Sequence, residues 1–143
     1  MLMRDIVSKK GSSVVTVAPD ATVVEVAQVL VQHAIGSVLI VQQGELLGIL
    51  TERDVLRLAA RDPWALGTTR AKEIMSTDVV VGLVDDEVAY GLAIMTNNRV
   101  RHLPVLDRGR LAGIVSIGDL VNASLTDLQA EVHWLRDYVQ GGG

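Results

Sequence analysis

Apolar residues change their spacing along the chain in a fixed order, and the order is used twice. In the first copy, residues 14–17 form a short strand-like run that Pro19-Asp20 ends. Val23, Val26, Ala27, Leu30 and Val31 then follow at three- and four-residue steps, which predicts a helix with one buried face. Thr22 with Glu25 supplies a capping box at its start. Residues 37–41 and 46–50 are β-rich runs joined by the turn sequence Gln42-Gln43-Gly44-Glu45. Thr51 opens a second helix carrying Val55, Leu56 and Leu58. The second copy predicts strand 79–82, helix 86–98, strand 102–106, turn Asp107-Arg108-Gly109-Arg110, strand 111–115 and a helix from Ser116. Each copy therefore reads β-α-β-β-α.

The two copies align at an offset of 65 residues. Asp20/Asp85, Val23/Val88, Gly44/Gly109, Leu46/Leu111, Gly48/Gly113, Ile49/Ile114 and Asp54/Asp119 are identical. These positions fall at a helix start, a turn, a strand and a shared motif, so their placement carries more than their number. A period of this length suits a pseudo-twofold pair of half-domains rather than a solenoid. Before each copy lies a short leader. Ala71-Lys72-Glu73-Ile74-Met75-Ser76 echoes Met3-Arg4-Asp5-Ile6-Val7-Ser8 at an offset of 68, which places three extra residues within 9–13. A short helix over 1–7 is expected to pack on one half. The division is 1–60 for the first repeat with the N-terminal helix, 61–70 for a linker, 71–124 for the second repeat, and 125–143 for a C-terminal helix and tail. Leu125, Leu128, Val132, Leu135 and Val139 step 3-4-3-4 along that helix. Two heptads are too short to stand alone, so the seam packs on the body or on a second subunit.

Composition narrows the function classes. The net charge of −4 argues against nucleic acid as main partner. The absence of cysteine removes disulfides and thiolate chemistry. No apolar run approaches the ~20 residues of a membrane span. A soluble cytoplasmic protein is the expectation. His33, His102 and His133 show no metal-ligand spacing, so no metal is expected. Trp64 and Trp134 read as packing anchors. No nucleophile–base pair or glycine-rich phosphate loop is visible, and the chain does not read as an enzyme.

The shared motif is a glycine, an apolar run, and a hydroxyl residue three positions before an aspartate: Gly48-Ile49-Leu50-Thr51-Glu52-Arg53-Asp54 and Gly113-Ile114-Val115-Ser116-Ile117-Gly118-Asp119. Thr51 with Asp54 and Ser116 with Asp119 each fit a capping box, and that alone accounts for both. The same geometry can serve a ligand. A helix N-terminus offers unpaired N–H groups and a positive dipole end, and an aspartate one turn in can accept from a vicinal diol.

Two β-α-β-β-α halves that each end in this motif resemble a tandem pair of CBS domains, the Bateman module. Val100-Arg101-His102-Leu103-Pro104-Val105 and Leu135-Arg136-Asp137-Tyr138-Val139 are similar to segments of bacterial stand-alone members. The resemblance implies an α/β (α+β) fold of two pseudo-twofold repeats packed through their sheets, with N- and C-terminal helices. It implies a regulatory module with no required cofactor. The implied ligand is AMP, ADP or ATP, with NAD and S-adenosylmethionine as further candidates. The base would lie against strands of one repeat while the hydroxyl-x-x-aspartate comes from the other. Carried over, site two takes Lys10, Ser12, Ser13, Val15, Ile35, Gly36, Arg101, His102, Ile114, Ser116 and Asp119. Site one takes Val80, Val100, Ile49, Thr51, Arg53 and Asp54. Arg101 and His102 match positions that hold phosphate in the family, while the first copy has Gly36 and Ser37 there. The bland alternative for Arg101 is a surface ion pair. A homodimer and a regulated protein partner are implied too, with neither nucleic acid nor membrane. The competing reading is a dimerisation or scaffold module with empty sites.

Overall fold

The computed structural model describes residues 1–11 and 14–141. In chain order its elements are α1 (Met3–Lys10), β1 (Thr16–Val17), α2 (Val23–His33), β2 (Ser37–Gln42), β3 (Glu45–Thr51), α3 (Glu52–Arg61), a 3₁₀ turn (Pro63–Gly67), α4 (Ala71–Ile74), β4 (Gly82–Leu83), α5 (Val88–Asn98), β5 (His102–Asp107), β6 (Arg110–Ser116) and α6 (Ile117–Gly141). They form two compact units. The first-copy unit is Val14–Val79 with Gly109–Leu111, and the second-copy unit takes the described residues 1–11, 80–108 and 112–141.

In the first-copy unit, Thr22 caps α2 as its sequence requires. The Glu25 N–H donates to Thr22 Oγ1 at 3.2 Å, and the Thr22 N–H donates to Glu25 Oε2 at 3.2 Å. Gln43 and Gly44 carry φ of 54° and 81°, so a two-residue turn with both φ positive closes the β2–β3 hairpin. Ser37 then faces Thr51, and Leu39 faces Ile49. β1 adds only Thr16 and Val17, parallel to Leu39 and Ile40, so the expected strand over 14–17 shrinks to two residues. Val26, Leu30, Val38, Ile40, Leu50 and Ala71 form the core.

The second-copy unit repeats this plan around Met3, Ile6, Val88, Met95, Leu103, Val105, Val115 and Leu120. β4 pairs in parallel with β5 through Gly82 and Leu83 alone, so the expected strand over 79–82 is displaced and shortened. β5 lies beside β6. The expected helix over 86–98 begins at Val88.

The leaders are exchanged. α1 precedes the first copy in sequence but packs on the second, while α4 precedes the second and packs on the first. The two dockings use corresponding atoms. The Met3 N–H donates to Asp86 O at 2.9 Å and the Val88 N–H to Met1 O at 3.0 Å. The Ala71 N–H donates to Ala21 O at 2.7 Å and the Val23 N–H to Thr69 O at 2.9 Å. Arg4 pairs with Asp85 at 3.0 Å as Lys72 pairs with Asp20 at 2.8 Å. Each leader thus brings a small or flexible residue, Met3 or Ala71, to complete burial in the other copy's core.

Three expectations are corrected. α1 runs to Lys10 rather than ending at residue 7. Asp5 accepts the Leu2 N–H at 3.0 Å, Lys9 and Lys10 sit in the last turn where the dipole favours cations, and Gly11 at φ 87° ends the helix. The helix from Ser116 and the C-terminal helix are one element of 25 residues, because nothing between Asn122 and Leu125 breaks helical backbone. Trp64 is no packing anchor, being 91 % exposed on the 3₁₀ turn.

Candidate functional site

The repeated motif sits where β3 passes into α3 and where β6 passes into α6. In the first copy, Asp54 Oδ2 accepts the Thr51 N–H at 2.9 Å and the Thr51 hydroxyl at 3.0 Å, while the Asp54 N–H donates to Thr51 Oγ1 at 3.2 Å. In the second, Asp119 Oδ2 accepts the Ser116 N–H at 2.7 Å, and the Asp119 N–H donates to Ser116 Oγ at 3.1 Å. Both motifs are capping boxes. Each fixes its aspartate on the first turn of a helix through Oδ2.

The glycine of the motif has a steric reason. A Cβ on Gly48 would lie 2.7 Å from the Ser76 carbonyl oxygen and 2.7 Å from Met75 Sδ. Here the chain after α4 runs extended along β3, and Ile49 and Ser76 exchange backbone hydrogen bonds of 2.9 Å. A Cβ on Gly113 would lie 3.0 Å from Val7 Cγ1, because α1 crosses there instead.

That difference changes the chemistry of the two aspartates. Since α1 continues for a further turn, Lys10 reaches Asp119 and donates from Nζ to Oδ2 at 2.6 Å. Burial alone would raise the Asp119 carboxyl. The Lys10 ammonium and the Ser116 amide and hydroxyl outweigh burial and hold it below its ordinary value. α4 ends at Ile74, and Asp54 meets instead Arg57 of its own helix, with Nη1 3.7 Å from Oδ1.

The start of each hairpin lies beside its motif. The Arg101 carbonyl accepts the Ile117 N–H at 2.9 Å, and the Gly36 carbonyl accepts the Glu52 N–H at 2.9 Å. The second copy therefore presents the exposed guanidinium of Arg101 and the exposed imidazole of His102 next to the apolar Ile117. In the first copy the carboxyl end of Glu52 sits 3.6 Å from where a Gly36 Cβ would be, so that side carries negative charge. Sequence reasoning passed over Glu52, although the alignment of Gly36 with Arg101 and of Glu52 with Ile117 already contained the signal. Gly36 and Glu52 border a groove of about 600 Å³ with Leu30, Ile35, Val55 and Leu56. Lys10 and Asp119 border another of about 340 Å³ with Met1, Asp5, Ile6 and Asn122.

Of the residues assigned to site two, Lys10, Arg101, His102, Ile114, Ser116 and Asp119 belong to the second-copy unit, and Val15, Ile35 and Gly36 to the first. Lys10, Ser116 and Asp119 are in direct contact. Ser12 and Ser13 lie outside the described residues. Of site one, Ile49, Thr51, Arg53 and Asp54 are in the first-copy unit, with Arg53 exposed, and Val80 and Val100 pack on the core of the second. Val15 and Ile35 pack on the first core.

Comparison with known proteins bears on this arrangement. A family model described as CBS domain matches residues 3–61 and again 71–126. The CBS domain-containing protein YhcV of Bacillus subtilis is 39 % identical over 112 residues, 76 % of this chain and 77 % of that protein. The crystal structure of a CBS-domain containing protein from Agrobacterium tumefaciens superposes with a TM-score of 0.71 at 39 % identity, covering 87 % of this chain and 99 % of that one. The CBS-domain pair of protein MJ0100, solved in complex with 5′-methylthioadenosine and S-adenosyl-L-methionine, gives a TM-score of 0.68 at 26 % identity, over 89 % of this chain and 98 % of that one.

Proposed function

The chain belongs to the CBS-domain family, and from that premise we propose that it is a regulatory module that binds an adenine nucleotide or related adenosyl ligand and signals to a partner protein. The observation that carries the reading is the pair of helix-start aspartates fixed by Thr51 and Ser116, each able to accept from a ribose diol. The adenosyl ligands of the MJ0100 pair support the ligand class. Arg101 and Lys10 bring positive charge to the Ser116-Asp119 side, and His102 adds a hydrogen-bonding imidazole, which favours a phosphate-bearing ligand there and assigns AMP, ADP or ATP to site two ahead of NAD and S-adenosylmethionine. The Thr51-Asp54 motif, with Glu52 beside Gly36, suits the uncharged adenosyl part of a ligand or one that carries a cation. The module acts as a homodimer in the cytoplasm and carries no catalysis of its own. A ligand with different affinity for two arrangements of the module shifts their populations, which is what a regulatory role requires.

Isothermal titration with AMP, ATP, NAD and S-adenosylmethionine tests this. We expect saturable binding of at least one ligand, weakened at least tenfold by Asp119→Asn or Asp54→Asn. No heat and no shift in melting temperature up to millimolar ligand would overturn it in favour of a scaffold whose motifs are only caps.

A further inference from the structure

Among the described residues nothing of the same chain covers the outer part of α6. Leu125, Leu128, Val132, Leu135 and Val139 are between 48 and 72 % exposed, so the reading in which the seam docks on its own body is not the one the structure takes. Fifteen residues of helix carrying five apolar side chains on one face are marginal in water by themselves.

The identities along the seam select its partner. With Leu125 at the first core position of a heptad, that position recurs as Val132 and Val139, and the second core position is Leu128 and Leu135. Valine at two of the three first positions, Val132 and Val139, with leucine at the second positions Leu128 and Leu135 favours two parallel strands. The flanking positions agree. In a parallel pair the residue before one core valine faces the residue five further on in the other strand. Here that places Glu131 opposite Arg136, twice per pair by symmetry. An antiparallel pair would set these flanks against their own kind. The contacts α6 makes within itself avoid the seam: His133 Nε2 meets Asp137 Oδ2 at 3.2 Å, and Trp134 stacks on Tyr138 with centroids 5.6 Å apart. The seam also continues onto the folded body, where Val121 occupies the preceding second core position and is 42 % exposed.

We propose that residues 121–139 of α6 form a parallel, in-register two-stranded coiled coil with the same segment of a second copy of this chain. This rests on the homodimer proposed above and adds its contact and direction. The chain has no cysteine, so single thiols report the geometry cleanly. Leu128→Cys and Leu135→Cys are each oxidised in the full chain, with Ala130→Cys, exposed and opposite the seam, as control and thermal melting to show that the body stays folded. The expected result is a covalent dimer from each seam variant and none from the control. Glu131→Lys should weaken the dimer about tenfold, and adding Arg136→Glu should restore it. A dimer by light scattering whose seam thiols do not cross-link, or cross-link only when the two variants are mixed, overturns the coiled coil while leaving the homodimer standing. A monomer mass at tens of micromolar overturns both.

Discussion

Lys10 in the N-terminal helix holds the Asp119 carboxylate at 2.6 Å, across 109 residues of chain. It occupies the oxygen that also takes the Ser116 amide. A ribose approaching Asp119 must share that carboxylate with an ammonium, and a phosphate approaching it finds the ammonium waiting. Among the described residues Asp54 meets no such lysine, because α4 stops at Ile74, and its ion pair is with Arg57 of its own helix.

Lys10→Met should therefore separate ligands by charge. AMP affinity should fall about tenfold, the size of one charge-assisted hydrogen bond. Adenosine affinity should not fall. Titration of both ligands against the wild type and the variant reads the difference, and an equal loss for both would remove the phosphate role.

Asp119 also sets a pH dependence. Its folded carboxyl lies below the unfolded value, so the unfolded chain binds the proton more readily. The stability it contributes is complete above the ordinary aspartate range near pH ~4. It is lost as pH falls through the depressed folded value. Denaturant unfolding between pH 6 and pH 2.5 should show Asp119→Asn and Lys10→Met losing less stability than the wild type over the lower part of that range.

Gly48→Ala should cost more than Gly113→Ala. The added methyl at Gly48 meets a backbone oxygen held in a hydrogen-bonded bridge, which cannot move aside cheaply. At Gly113 it meets the Val7 side chain at 3.0 Å, a tight approach to a side chain that can give by a few tenths of an ångström. We expect about 1–3 kcal/mol for the first, typical of overpacking, and less for the second. Urea unfolding of the two variants compares them directly.

Met3→Ala should destabilise the second-copy unit rather than the first. Met3 is fully buried among Leu120, Met95 and Leu103, and truncating a buried methionine costs about 2–5 kcal/mol. Hydrogen exchange should accelerate at α5 and β5 while β2 and β3 keep their protection.

Most of the local architecture was legible before any coordinates. Thr22-x-x-Glu25 caps α2, Gln43-Gly44 turns the first hairpin, and the element order of both copies is as periodicity predicts, because each rests on neighbours a few residues apart. The hydroxyl-x-x-aspartate boxes were legible for the same reason. What sequence missed was set at long range. Nothing in Met3–Lys10 says that it will pack on residues beyond 80, and so nothing said that Lys10 would find Asp119. The lengths of β1 and β4 depend on how far a partner strand runs beside them, and the unbroken α6 depends on a segment with no strong helix breaker and no strong periodic signal.

The exchanged leaders also govern the order in which the protein can be made. Residues 1–10 are synthesised well before Leu120, yet the core that takes Met3 and Ile6 is not complete until Leu120 has emerged. The first-copy unit can close most of its core once Ala71 has emerged. The nascent chain therefore carries the apolar face of α1 without its partners while the residues up to Leu120 are made, a window in which folding of the second half competes with association between neighbouring nascent chains.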